Sequence, residues 1–407
     1  MKKIIYILCV IALLCSSVLT CFAADEETTY NYETDSYYTD HDLAGTSINV
    51  FNWGEYISDS YEDDCIDVNA EFERITGITV NYVTFESNED MYAKIANGGV
   101  SYDIVIPSDY MIERMISEDL LLEVDVESLP NYENIMDDYK NVYFDPDNSY
   151  TVPYSVGMVG LIYNTTMVDE TPTSWDILWD EDYAGQILMI DNVRDAFAIP
   201  LKMLGYSLNT TDEAELQEAA DMLIEQKSLL QSYVMDEVYN KMESGEAAMV
   251  PYYVGDYVSM KEVNDDLAFV YPEEGVNIFI DSVCIPTCAQ NYDAALMYMN
   301  FLMEPEVALS NALYIGYATP NAAVLEMDEY AEMLAIEELY PAEGDEPDVE
   351  YFENLPQETL DVLSTLWSDI KVSGSDMTSI YIGLGVVAIA AAAFLVYKSI
   401  QKKKRDY

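Results

Sequence analysis

Apolar and polar positions divide the chain into short elements. From Ile48 to Trp53 apolar residues recur at the period of a strand, and 61–76 carries them at helical spacing until Gly77. Residues 78–85 alternate as a strand, 90–96 are helical, and 102–106 form an apolar run closed by Pro107. Strand, helix, strand, helix, strand predicts a parallel α/β sheet. Further on, 186–190, 247–250, 267–270 and 277–285 read as strands, while 212–230, 294–302, 305–312 and 357–371 read as helices. Residues 25–43 are acidic, rich in Tyr and Thr and free of aliphatic periodicity, so this stretch reads as a flexible leader. There is no internal repeat, no phosphate-cradling glycine loop and no nucleophile elbow.

Both ends carry membrane signals. Lys2 and Lys3 precede an apolar run to Leu19, followed by small residues, which predicts a secretory signal peptide over 1–23. Cys21 sits in a poor lipidation context, because Thr20 replaces the expected small residue. Residues 380–397 are uncharged and span about 27 Å as a helix, enough to cross a bilayer core. Lys398, Lys402, Lys403, Lys404 and Arg405 follow and predict a cytoplasmic tail at 398–407, with the bulk of the chain outside the cell membrane.

Charge narrows the function. The 407 residues include 76 acids, 17 bases and one histidine, His41. Seven of the bases lie in the two ends and Asp406 is the only acid there, leaving 75 acids against ten bases in between. Such a surface repels nucleic acid and attracts cations. A single histidine excludes multi-histidine zinc sites and gives no candidate metal ligand set or catalytic base. Cys65, Cys284 and Cys288 remain after the signal peptide; an odd number forms no complete disulfide framework, and buried structural thiols are expected. No catalytic residues and no cofactor are indicated, and the chain is not expected to be an enzyme.

Several segments then line up in order: Asn52-Trp53-Gly54-Glu55-Tyr56, Glu86-Ser87-Asn88-Glu89, Met91-Tyr92-Ala93-Lys94 and Tyr102-Asp103-Ile104-Val105-Ile106-Pro107-Ser108. Val152-Pro153-Tyr154, Ser174-Trp175, Leu178-Trp179, Asp281-Ser282 and Gly316-Tyr317-Ala318-Thr319-Pro320-Asn321 follow. Together they resemble the spermidine/putrescine-binding proteins of polyamine ABC transporters, from Ile48 to about Lys371. The resemblance implies a two-lobed, periplasmic-binding-protein-like (type II) α/β fold with a hinge. Lobe 1 would comprise 47–155 and 281–323, and lobe 2 would comprise 156–280 and 324–371. The leader (24–46), a linker (372–379) and the single transmembrane helix complete the domain plan.

The ligand would be putrescine or spermidine, delivered to ABC permease and ATPase subunits. A chain of methylenes with ammonium ends needs carboxylates matched to its charges and aromatic walls between them. Carried over position by position, the resemblance implies Trp53 as a wall, Gly54 as a backbone contact, Glu55 as an amine partner and Tyr56 beside it. Ser108 and Tyr110 match pocket positions, as do Asn192, Asp195, Tyr253, Phe279, Asp281, Tyr317 and, in a loose alignment, Gln357. Asn192 stands where an acid is expected, and Tyr253 and Phe279 stand where tryptophans are common. Either the ligand is shorter or less charged, or neighbouring Asp191 compensates. The competing function is a membrane-anchored sensor ectodomain for polyamines or quaternary amines.

Overall fold

The computed structural model describes residues 35–39, 43–59, 65–342 and 344–373. The predicted signal peptide, Cys21, His41, the transmembrane span and the basic tail lie outside the described residues, as does most of the linker. Among the described residues no helix is long and apolar enough to cross a membrane. Within the predicted leader, Asp35–Thr39 forms one helical turn.

Three parallel strands, β1 (Ser47–Trp53), β2 (Thr79–Phe85) and β3 (Ile104–Val105), form one half of a sheet in the order β2-β1-β3. The intervening helices α1 (Val68–Thr76) and α2 (Asn88–Ala96) begin where Asp67 and Ser87 cap the free N–H groups of Ala70 and Asp90. Asp67 therefore starts the first helix later than the 61–76 pattern predicts; residues 61–64 of that range lie outside the described residues. After β3 comes α3 (Asp109–Ser117).

The second half is built from β5 (Ile187–Ile190), β6 (Leu230–Val234), β7 (Met249–Tyr253) and β8 (Leu267–Val270), with β5 parallel to both β6 and β7. The helix α4 (Val193–Leu204) follows β5, α5 (Glu213–Gln226) precedes β6, and α6 (Glu237–Glu243) and α7 (Val254–Val263) follow β6 and β7. The predicted 212–230 helix stops at Gln226, and Leu230 instead opens a strand beside Ile187.

Two long strands join the halves. β4 (Thr151–Asn164) pairs with β9 (Val276–Cys284) over its first part and with β7 and β8 over its second. β9 also meets β3, at Val105 and Cys284, and the short β10 (Val349–Tyr351). The result is a two-lobed α/β architecture whose lobes share a pair of crossing strands. Helices α8 (Tyr292–Phe301) and α9 (Pro305–Ile315) return to the first half, and α10 (Gln357–Val372) packs on α5 of the second. The α10 carboxyl end is clasped by Lys227, whose Nζ donates to the carbonyls of Ile370 (2.8 Å), Lys371 (2.6 Å) and Ser373.

β4 is nearly all buried, so it lacks the alternation that marks a half-exposed strand. Its start is fixed by Asp145. That carboxylate is itself buried and accepts from the N–H groups of Ser149, Tyr150 and Thr151, each at 2.9 Å. Cys284 is buried on β9 as expected, whereas Cys65 and Cys288 are only half-buried.

Asp145→Ala strands three backbone donors at the entry to the crossing strand. Chemical denaturation should show a stability loss of roughly 2–4 kcal/mol, while Asp145→Asn, which keeps an acceptor, should lose less.

Candidate functional site

In an open α/β sheet the loops leaving the carboxyl ends of parallel strands converge on one crevice. Here that crevice is a cavity open at its mouth. β1 delivers Trp53, Gly54 and Tyr56; β2 delivers Phe85, Glu86 and Asn88; β3 delivers Ser108, Asp109 and Tyr110. From the other half come Asn192, Arg194 and Asp195 after β5, Met235 and Asp236 after β6, and Tyr252, Tyr253 and Asp256 at β7 and α7. The crossing strand β9 supplies Asn277, Phe279 and Asp281. Tyr317 and Phe352 complete the wall, so the lining holds nine aromatic rings and six acids against one base.

Asp281 is buried, with 3% of its surface exposed. Its Oδ2 accepts from Tyr56 at 2.6 Å, and Tyr56 in turn contacts Ser155. Its Oδ1 is buried and has no hydrogen-bond partner. Burial lifts the Asp281 carboxyl to about 6, against the opposing pull of Tyr56 and the nearby Ser108 hydroxyl. Asp195, in the first turn of α4, accepts from Tyr253 at 2.8 Å. Burial raises it to about 7; Tyr253 and Arg194 oppose the shift, and the Glu89 and Asp281 charges reinforce it. Asp256, in the first turn of α7, has both oxygens engaged, by Tyr239 and Tyr317, and burial lifts it to about 6. Asp109 opens α3 and is fully buried; burial, then the Asp281 charge, raise it well above the carboxylate range.

Arg194 is the single base in the lining. It is buried, with its guanidinium 4.4 Å from the Phe352 ring centroid and 5.2 Å from that of Tyr110. It donates to the Glu353 carbonyl (3.1 Å) and to Asn209 Oδ1 (2.9 Å). The aromatic walls interlock: Tyr253 meets Phe279 edge-on at 5.6 Å, Tyr56 meets Tyr317 at 5.5 Å, and Trp53 leans on Phe85 at 4.5 Å. A buried carboxylate oxygen without a donor, set among rings, suits an organic cation with apolar segments.

Eleven of the thirteen residues expected from the sequence line this cavity: Trp53, Gly54, Tyr56, Ser108, Tyr110, Asn192, Asp195, Tyr253, Phe279, Asp281 and Tyr317. Two do not. Glu55 has a left-handed backbone (φ 48°), and its exposed carboxylate accepts from Tyr314 at 3.2 Å outside the cavity. Gln357 begins α10, where it accepts from Arg114 (2.9 Å) and donates to Asp361 (2.8 Å). Asn192 lines the cavity yet spends its Oδ1 capping α4 through the Arg194 N–H at 3.0 Å. Sequence reasoning missed Asp109, Arg194, Asp256 and Phe352. Asp109 lies between two expected positions, Ser108 and Tyr110, and Asp109 and Asp256 share a signal, an acid three or four residues beyond a buried strand.

The sequence profile of the bacterial extracellular solute-binding proteins matches residues 101–339. The chain is similar to the spermidine/putrescine-binding periplasmic protein of Salmonella typhimurium, with 35% identity over 285 residues covering 70% of this chain and 80% of the relative. It is 27% identical to the putrescine-binding periplasmic protein SpuD of Pseudomonas aeruginosa, over 80% of this chain and 91% of that one. Among solved structures it resembles the spermidine/putrescine ABC transporter substrate-binding protein PotD of Streptococcus pneumoniae. That structure, in complex with calcium and HEPES, superposes with a TM-score of 0.66 at 37% identity, covering 81% of this chain and 99% of that one. A profile that spans more than half of the chain, from β3 to β9 with the cavity-lining loops between them, places the protein in the bacterial extracellular solute-binding protein family.

Proposed function

We propose that this chain captures putrescine or spermidine between its two lobes and delivers it to an ABC permease, acting as a binding protein and not as an enzyme. The observation that carries this reading is Asp281 Oδ1, a buried acceptor without a donor beside the rings of Tyr56 and Phe279. Leaving such a group unpaired is costly, and an ammonium is its natural complement. The six-to-one excess of acids and the nine rings fit a dication or trication with methylene spacers. The names of the relatives support the same class. Asp195 and Asp281 are the amine partners, and Trp53, Tyr110, Tyr253, Phe279 and Tyr317 are the walls. The lobes divide at 47–155 with 281–323 and at 156–280 with 324–371, and ligand touching both favours the closed state.

Isothermal titration should give binding of putrescine or spermidine to the wild type. Asp281→Asn keeps the shape and the acceptor for Tyr56 but removes the charge. The expected loss is roughly 2–5 kcal/mol, or about 30-fold to several thousand-fold in affinity. Affinity within about twofold of wild type would remove Asp281 from the site.

Proton linkage gives a second test. Asp281 at about 6 and Asp195 at about 7 lie above the ordinary aspartate value near 3.9. The empty protein is therefore stabilised by protonation, and that contribution fades as pH rises through 6 to 7. A polyamine stays charged throughout this range and needs ionised partners. Affinity should therefore rise between about pH 5 and pH 8, with proton release on binding near pH 6. A flat profile over that range counts against these two carboxylates as amine partners.

The polar-flanked apolar runs at 1–23 and 380–397 support export and a single-span anchor with the basic tail inside. Protease added to intact cells should then remove most of the mass and spare the tail. Loss of the tail from an otherwise resistant chain would reverse this orientation.

A further inference from the structure

Gly255 is the second residue of α7, and its backbone is not in the left-handed region that favours glycine. Alanine would be the better residue there by local preference, since glycine inside a helix costs about 1 kcal/mol relative to it. The reason for glycine lies across the seam. A methyl group on Gly255 would overlap the Tyr317 ring, coming within 2.5 Å of Cγ and closer still to Cδ2 and Cε2. Gly157 of β4 is as close to another ring atom: a methyl there would lie 2.8 Å from Tyr317 Cε1 and overlap Phe279, its partner across the β4–β9 ladder. Gly316, immediately before Tyr317, has φ +75° and would meet the Gly255 carbonyl at 2.6 Å if it bore a Cβ. The Tyr317 hydroxyl then reaches Asp256, the residue after Gly255, which also holds Tyr239.

We infer that Gly255 is a positioning residue of the binding site: its missing side chain lets α7 close against Tyr317 and hold that ring, with Gly157, as a fixed wall of the cavity. Gly255 itself does not line the cavity and acts through Tyr317. The inference rests on the cavity being the polyamine site, and it sets how tightly that site is shaped rather than what it binds. The ring wall is rigid because it is packed against two backbones. Packing of this kind has no room to absorb one additional carbon.

The test is a double-mutant cycle on the full-length protein, using Gly255→Ala, Tyr317→Ala and the two together. Titration with putrescine and with spermidine reads affinity, and thermal unfolding of the ligand-free proteins reads the seam. Gly255→Ala should weaken binding by about tenfold or more in the presence of the tyrosine ring. Added to Tyr317→Ala, it should cost no further affinity and should leave the melting temperature unchanged or higher. If Gly255→Ala alone does not fold while the double variant does, the clash with the ring is demonstrated directly. Affinity within twofold of wild type for a folded Gly255→Ala, or additive losses in the double variant, overturns the inference. A wild type that binds neither polyamine refutes the proposed ligand instead. The melting cycle then decides alone whether Gly255 and Tyr317 are coupled, and additivity there overturns the inference.

Discussion

Holding carboxylates close together away from water is the constraint around which this molecule is arranged. Asp109, Asp195, Asp256 and Asp281 share one cavity, and burial pushes every one of them upward. Three devices make the cluster tolerable. Asp109, Asp195 and Asp256 each sit in the first turn of a helix of nine or more residues, where the unpaired N–H groups favour negative charge. Phenol hydroxyls donate to three of them: Tyr253 to Asp195, Tyr56 to Asp281, and Tyr239 and Tyr317 to Asp256. Arg194 supplies the single positive charge, screened between rings and tied to backbone carbonyls. The abundance of tyrosine, 35 residues, thereby acquires a chemical role beyond bulk.

The parallel strands and most helices were legible because their periods are local. β1, β2 and β8 follow their hydrophobic patterns closely, and Gly77 ends α1 in the left-handed conformation its position implies. β4 was not legible. A strand covered on both faces, carrying Pro153, Gly157 and Gly160, has no alternation to read. β6 was missed because residues 227–229 form a turn that the apolar spacing does not announce, so the expected helix ran on to Leu230, where the strand begins. Eleven site positions came together in space because motifs that end strands also end at the crevice. Glu55 stays outside the cavity with a left-handed backbone, a feature of φ that composition does not announce. Arg194 and Phe352 carried no local mark, and Asp256 carried only the weak one of an acid soon after a strand. In a chain with 76 acids, one more aspartate reads as surface until the fold closes over it.

The scarcity of bases has the opposite effect. Several described cations sit at joints. Lys202 pairs with Glu350 at 2.7 Å and ties α4 to β10, while Lys371 holds Asp191 at 2.7 Å from α10 and lies over the Tyr233 ring. Arg114 reaches from α3 to Gln357 on α10. Exposed pairs such as Arg74 with Glu71 contribute little by comparison. Among the described residues, positive charge mostly fastens one element to another.

Lys227 is the extreme case of such fastening. One ammonium gathers the last carbonyls of α10, at the point where the described chain ends. In mechanical terms it is a strain relief, like the grip that keeps a tug on a cable from reaching the solder. A pull on the backbone after Ser373 loads three charge-assisted hydrogen bonds and the α5–α10 contact before it reaches any strand. The crossing strands β4 and β9, which any bending of the lobes must flex, are therefore decoupled from whatever force the chain beyond residue 373 transmits.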